Sequence, residues 1–326
     1  MRVLFDAFWW IDGPPANRTV LRGIVQQWMV DHPRDQIVLA VRRKHVRAAR
    51  REAPDSAELV VTDLWPHALS NAVELPLIAR RVRAELMFAH NYTPLFGPAE
   101  VFVHDLLFED HPEWFTRLEL FYFWPMSRLA RRARRVHTST RTEAARMERL
   151  HPALVPVQIM RIDAMGGRLS GVDPVRPPSV REGDPFILSV GRLNARKNLE
   201  VTIQGVLQSR ASRHGTKLLV VGTSEYSGRS PDIPSLSSRY GKKGSVHQLG
   251  RVSDGELRWL YENAAVFVCM SHDEGCGLPV IEALSMGVEV IASDIAVFHE
   301  TLGGSATYVA ADDAPGLAAA IDRVAS

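Results

Sequence analysis

Glu274-Gly-Cys-Gly-Leu-Pro-Val-Ile-Glu282 sets two carboxylates around the start of a helix, just after the apolar run Val266 to Met270. Gly275 and Gly277 allow a backbone to come close to a ligand, and Pro279 suits a first helical turn, where its missing N–H would have no partner anyway. The free N–H groups of such a helix end attract phosphate. Glu274 falls in the loop before the helix and Glu282 one to two turns inside it, so both can turn toward one ligand lying across the N-terminus. One carboxylate suits a hexose, the other a ribose.

Outward from this stretch, short apolar runs alternate with helical segments, the pattern of parallel sheets covered by helices. In the second half, strands are expected at Phe186 to Val190, Lys217 to Val221, Val246 to Leu249, Val266 to Met270 and Glu289 to Ala292, with helices over Leu199 to Ser209, Gly255 to Asn263 and Leu278 to Met286. In the first half, strands are expected at Arg2 to Phe5, Gln36 to Val41, Leu59 to Val61, Leu86 to Phe88, Glu100 to Val103 and Val136 to Thr138. Between them, Pro174, Arg176, Pro177, Pro178, Ser179, Gly183 and Pro185 form a turn-rich connector, which places the boundary between domains 1–178 and 179–326. A length of 326 residues exceeds the usual single core. Ligands of open α/β sheets bind beyond the carboxyl ends of the strands, so the loops after Val190, Val221, Leu249 and Met270 are expected to line the site.

The composition, 46% hydrophobic and 23% charged, is that of a globular enzyme. No apolar run reaches the roughly 20 residues needed to span a bilayer, and the chain opens on a strand-like run without a signal-peptide pattern, which predicts a cytoplasmic location. Cys269 and Cys276 have no His or Cys partners at zinc spacing, so reduced thiols and no metal are expected. The net charge of +2 divides unevenly: residues 1–178 hold 25 Lys+Arg against 20 Asp+Glu, or +5, and the remainder 14 against 17, or −3. Part of the excess is Arg42, Arg43, Lys44, Arg47, Arg50 and Arg51. Another part, Arg128, Arg131, Arg132, Arg134 and Arg135, follows Phe121, Tyr122, Phe123 and Trp124, a stretch that could lie against anionic lipid at the inner face of the plasma membrane. The same runs also read as solvated helix faces with the aromatics in the core. Neither half is basic enough for nucleic acid.

These motifs carry a resemblance. Gly191-Arg192-Leu193 with Lys197-Asn198, then Gly250-Arg251-Val252-Ser253 before a helix, then Glu274 to Glu282, resemble the retaining glycosyltransferases of family 4, over about residues 1 to 313. Val103-His104-Asp105-Leu106 followed by His111-Pro112-Glu113-Trp114 is similar to the family's His-Asp-Leu segment, particularly in mannosyltransferase-like members, and Thr138-Ser139-Thr140 to its Thr-x-Ser strand end. The resemblance implies the GT-B fold: two Rossmann-like α/β domains facing across a cleft, an N-terminal one for the acceptor and a C-terminal one for the nucleotide. It implies transfer of a mannose-like hexose from a nucleoside diphosphate sugar, GDP-linked, to a saccharide or lipid-linked saccharide in surface polysaccharide synthesis. The donor is a substrate, and no cofactor is expected.

Residue roles follow from the same resemblance. Arg192 and Lys197 would neutralise the diphosphate leaving group, without a metal, since no Asp-x-Asp triad occurs and the pair Asp312-Asp313 lies near the end. Glu274 would act on the donor sugar and Glu282 on the ribose, with His272, Asp273, Gly275, Cys276, Gly277 and Leu278 around them; Gly191, Leu249, Gly250, Arg251 and Val252 would border the nucleotide. His104 would face the anomeric centre, although a lone histidine at a strand end is usually ordinary. Asp105 reads as structural. Retention of anomeric configuration is implied, by same-face attack.

The departures are specific. Asp12 to Pro15 is followed by Ala16-Asn17-Arg18 where the family has a glycine-rich loop, which argues against backbone contact to phosphate there. The family's C-terminal crossover helix has no counterpart before Ser326, so it is either absent or was removed, and Cys276 stands where an aromatic is usual. The rival reading is a catalytically silent sugar-nucleotide-binding scaffold or partner subunit of the same fold. An epimerase would not be expected to carry this arginine, lysine and paired-glutamate set, and no Gly-x-Gly-x-x-Gly follows the first strand to mark a nicotinamide enzyme.

Overall fold

The computed structural model describes residues 1–154, 156–160, 167–224, 232–240 and 244–324. The chain divides into two compact units, one of Met1–Asp110 with Arg117–Met165, the other of His111–Thr116 with Gly166–Ser326. The first is built on a seven-stranded parallel sheet in the order β3-β2-β1-β4-β5-β6-β7. Its strands are β1 (Arg2–Asp6), β2 (Gln36–Arg42), β3 (Glu58–Thr62), β4 (Leu86–His90), β5 (Ala99–Phe102), β6 (Arg135–Thr138) and β7 (Val157–Ile159). All six expected strands are present. The central ones are mostly apolar, and every residue of β4 and β5 is buried, Glu100 included, whose charge meets His137 and Arg135.

The second unit holds a six-stranded parallel sheet in the order β10-β9-β8-β11-β12-β13. These strands are β8 (Phe186–Val190), β9 (Lys217–Val221), β10 (Val246–Gly250), β11 (Val266–Cys269), β12 (Val290–Ser293) and β13 (Thr307–Val309). Alternate residues feed two apolar layers. Phe186, Leu188, Leu219 and Phe267 pack with Tyr261 and Phe298 on one side, and Ile187, Leu218, Val220, Val266 and Val268 pack with Ile203 and Leu317 on the other.

The turn-rich run expected at the boundary lies inside the second unit, a correction to the division at 178/179. Its backbone is bound there: the Val175 N–H donates to the Gly255 carbonyl at 3.0 Å, and Arg258 Nη1 donates to the carbonyls of Ser170 and Val172 at 2.8 and 2.7 Å. Leu169 and Val180 are buried in the same core. Proline-rich composition marked irregular backbone, but these contacts make it part of a domain rather than a linker.

The order of each sheet reverses beside its first strand: β1 lies between β2 and β4, and β8 between β9 and β11. Loops leaving the two sides of such a reversal diverge and open a crevice at the strands' carboxyl ends. In the second unit these are the loops after β8 and β11, which carry Lys197 and Glu274.

Candidate functional site

Backbone contacts draw together the carboxyl ends of β8, β9 and β10. The Gly191 N–H donates to the Val221 carbonyl at 3.0 Å, the Gly222 N–H to the Gly250 carbonyl at 2.8 Å, and the Leu193 N–H to the Thr223 carbonyl at 3.1 Å. Gly222 has φ +140°, and a Cβ there would fall 1.8 Å from the Gly191 carbonyl oxygen. Only glycine permits that approach.

From this base the chain after β8 turns through Ala195–Lys197, closed by Asn194, whose side-chain oxygen accepts the Lys197 N–H at 3.3 Å. Lys197 is thereby set on the loop after β8, which also carries Arg192. Lys197 Nζ donates to Glu274 Oε1, and Arg196 Nη1 donates to Glu274 Oε2. Ser271 Oγ adds a bond of 2.8 Å to Oε1, while the Ser271 carbonyl accepts from Ser293 Oγ at 2.6 Å. Glu274 is only 5% exposed. Burial alone would push its carboxyl up, but the charges of Arg196 and Lys197 hold it at about 2, so it is a carboxylate at neutral pH.

The helix Leu278–Ser285 starts from Gly277 at φ +79°, with Pro279 in its first turn. A Cβ on Gly277 would meet the Phe298 ring at 2.6 Å. Glu282 is buried within this helix and is held on both oxygens: Arg168 Nε donates to Oε1 at 2.9 Å and the Tyr261 hydroxyl to Oε2 at 3.2 Å. Arg168 also pairs with Asp254 at 2.7 Å. Burial, reinforced by the Glu282 charge, pushes the Tyr261 phenol well above its ordinary range, so it stays a donor.

The remaining expected residues of this half lie at the end of β10 and on the loop after β11. Leu249 and Gly250 end β10, and Val252 packs on the core beside them. Arg251 is exposed, and Ser253 then starts the helix Asp254–Asn263 through a reciprocal cap with Glu256. Asp273 Oδ1 accepts the Glu274 N–H at 2.7 Å, and burial lowers the pKa of His272. Cys276 and Cys269 are free thiols, the latter buried.

His104 belongs to the first unit. Its N–H is accepted by Asn91 Oδ1 at 3.3 Å, and its ring meets His90 edge to face at 4.5 Å. His90 is buried with no hydrogen-bond partner for either ring nitrogen among the described residues, and burial, then the neighbouring His104, keep it neutral. At the end of β1, Asp6 accepts from His67 Nε2 and Asn71 Nδ2, each at 2.7 Å. Asp105 Oδ1 accepts the Leu107 N–H at 3.3 Å, a structural role.

Sequence reasoning missed Arg196, Ser271, Gly222 and Arg168 in the second unit and Asp6, His67 and His90 in the first. Glycine after a β-rich run, as in Leu218-Leu-Val-Val-Gly222, was the available signal for one of them.

Residues 175–326 match the family described as glycosyl transferases group 1. Over this stretch, just under half of its length, the chain is similar to the group 1 glycosyl transferases. The likeness to the family's members reaches further. The O-antigen chain mannosyltransferase RfbU of Salmonella typhimurium is 28% identical over 235 residues, 72% of this chain and 63% of that protein. The GDP-mannose:cellobiosyl-diphosphopolyprenol alpha-mannosyltransferase of Komagataeibacter xylinus is 32% identical over 46% of this chain and 39% of its own length. The chain thus matches less than two thirds of either relative. Among solved structures, WaaG, a glycosyltransferase involved in lipopolysaccharide biosynthesis, superimposes with a TM-score of 0.69 at 16% identity over 99% of this chain and 90% of that one. Anabaena Alr3699/HepE, solved with UDP and glucose, gives 0.66 at 16% identity over 99% and 89%. These likenesses bear out the two-domain α/β fold of the GT-B type.

Proposed function

We propose that the chain is a hexosyltransferase that moves a mannose-like sugar from a nucleoside diphosphate donor, GDP-linked, to a saccharide or lipid-linked saccharide acceptor in surface polysaccharide synthesis. The observation that carries this reading is the buried carboxylate of Glu274 meeting Lys197 and Arg196 at the switch point of the second sheet. The mannosyl activities named for the relatives favour the sugar and the base.

Leaving-group stabilisation dominates the chemistry. Breaking the glycosyl phosphate bond leaves negative charge on the nucleoside diphosphate and positive charge on the ring, so fixed cations lower the barrier. Lys197 and Arg192 supply that charge from the protein, which supports a metal-independent reaction. Glu274 would hold hydroxyls of the sugar and Glu282 the ribose. The departing phosphate oxygen would take the proton of the acceptor hydroxyl as that hydroxyl attacks the same face, giving retention. A panel of nucleotide sugars tests the reading: slow hydrolysis of one GDP-sugar, and a retained anomeric coupling in the first product by proton NMR, are expected. A chain that binds but never turns over any donor is the silent scaffold instead.

The ribose role predicts that Glu282→Gln weakens nucleoside diphosphate binding about 10-fold or more, the loss of one hydrogen bond to a charged acceptor. Equal affinity by calorimetry would move the ribose elsewhere.

Contact with an anionic membrane is supported by the helix Arg117–Phe123 and the residue after it. Leu118, Phe121 and Trp124, spaced by three, are 77, 76 and 54% exposed, while Tyr122 and Phe123 between them are half-buried and pack on Tyr92 and Phe108. Arg117, Arg128, Arg131, Arg132, Arg134 and Arg135 are exposed as well, and the Arg128 guanidinium lies 4.2 Å from the Trp124 ring centroid. Among the described residues no helix is long and apolar enough to cross a membrane, so the attachment would be peripheral, at the inner face of the plasma membrane. Each cation contributes about 1 kcal/mol at an anionic surface, so Arg128→Gln with Arg131→Gln is expected to lower affinity for phosphatidylglycerol vesicles roughly 10- to 30-fold. Equal sedimentation of both proteins with these vesicles, or of the wild type with neutral ones, counts against it.

A further inference from the structure

We propose that Arg196 is the resident counter-ion of Glu274, a positioning residue that lets Lys197 pass from this carboxylate to the diphosphate of an incoming donor. The inference rests on the nucleotide-sugar reading and assigns a role to a residue outside the expected diphosphate clamp of Arg192 and Lys197.

Two cations meet one buried carboxylate here, and they are held differently. Arg196 is tied to the loop of Glu274 at three points: Nη1 donates to Glu274 Oε2 and, at 3.1 Å, to the Asp273 carbonyl, while the Arg196 carbonyl accepts the His272 N–H at 2.9 Å. Among the described residues Lys197 has a single side-chain bond, to Oε1, where Ser271 Oγ also donates. Its stem lies over the Gly191 turn, with Cε 3.0 Å and Nζ 3.4 Å from where a Cβ on Gly191 would stand, and it borders a small cavity with Gly191, Arg192 and Cys269. The lysine therefore faces the space into which a phosphate would come, and the arginine faces away into the loop.

A phosphate competes with Glu274 for the lysine. A buried carboxylate that loses its sole cation is strongly unfavourable, so a site with Lys197 alone would hold that lysine back. With Arg196 fixed on Oε2 and Ser271 on Oε1, Glu274 stays compensated when Lys197 swings to the diphosphate. A short ammonium on a four-carbon stem suits the moving part, and a planar guanidinium with several donors suits the fixed one.

Calorimetric titration of GDP into four proteins tests this. Arg196→Met is expected to weaken GDP binding roughly 10- to 100-fold, the range for one charged hydrogen bond lost from the diphosphate. Arg196→Met with Glu274→Gln is expected to recover affinity to within about 3-fold of wild type, because the lysine no longer has a carboxylate to hold it, while sugar transfer stays lost. Glu274→Gln alone, which keeps both cations, is expected to bind GDP at least as tightly as wild type. Wild-type affinity in Arg196→Met overturns the proposal. So does a double variant as weak as the single one, which would make Arg196 a direct phosphate ligand, and so does weakened binding in Glu274→Gln. Absence of GDP and UDP binding in the wild type would instead sink the nucleotide-sugar reading beneath it.

Discussion

Lys197→Ala is expected to lower sugar transfer by about 10²- to 10³-fold while leaving the fold intact, the scale for loss of one preorganised charge at a developing anion. The side chain is almost buried, 10% exposed, and its ammonium is set by the turn Ala195–Lys197 on one side and by Glu274 on the other. Once the lysine has passed from carboxylate to phosphate on donor binding, no rearrangement is needed at the moment of bond breaking. The variant leaves Glu274 paired with Arg196, so no buried charge is stranded and thermal stability should change little. Loss should therefore fall on turnover and diphosphate affinity, and not on melting temperature. Lys197→Arg should rescue only part, since a planar guanidinium on a longer stem does not place its charge where the compact ammonium stands. Rates equal to wild type at saturating donor would remove Lys197 from the leaving-group site. A collapse of stability would show the ion pair to be structural.

How far the sequence could be read follows from burial. Strands covered on both faces, such as Phe186–Val190 and Lys217–Val221, appear as unbroken apolar runs and are legible without a structure. The two strands it did not disclose, Val157–Ile159 and Thr307–Val309, are three residues long and lie at sheet edges, where one side needs no apolar cover. Gln158 and Ile159 are exposed, so no pattern marks them. The glutamate pair was legible because glycine, proline and carboxylate fall at fixed offsets around one helix start. Its partners were not. Arg168 meets Glu282 across 114 residues, and Arg196 meets Glu274 across 78, so both read as surface charge until the loops are placed. The same holds for Asp6 and His67, 61 residues apart and joined beneath the first sheet's carboxyl edge.

The second large effect is expected from a residue with no side chain. Gly222→Ala should destabilise the second unit by about 3 kcal/mol or more and abolish nucleotide binding together with it. Gly222 follows β9 at φ +140°, a conformation in which a side chain costs of order 1–3 kcal/mol before any contact is considered. The added methyl would also begin 1.8 Å from the Gly191 carbonyl oxygen, a backbone atom that cannot swing aside as a side-chain tip could. Relief requires the turns after β8 and β9 to separate, which pulls on the bonds from Gly191 to Val221 and from Leu193 to Thr223. Those bonds anchor the turn after β8 that carries Arg192 and Lys197. Stability and binding are thus joined through one backbone contact, in contrast to Lys197, where they should come apart. At roughly 2–4 °C per kcal/mol for a unit of this size, the melting transition should fall by about 6 °C or more. Gly183→Ala is the control: it also removes a positive-φ glycine, at +81°, but a Cβ there meets nothing within 4 Å, so it should cost only its backbone strain. If the two variants melt together, the close approach of the two turns is not what requires glycine at 222.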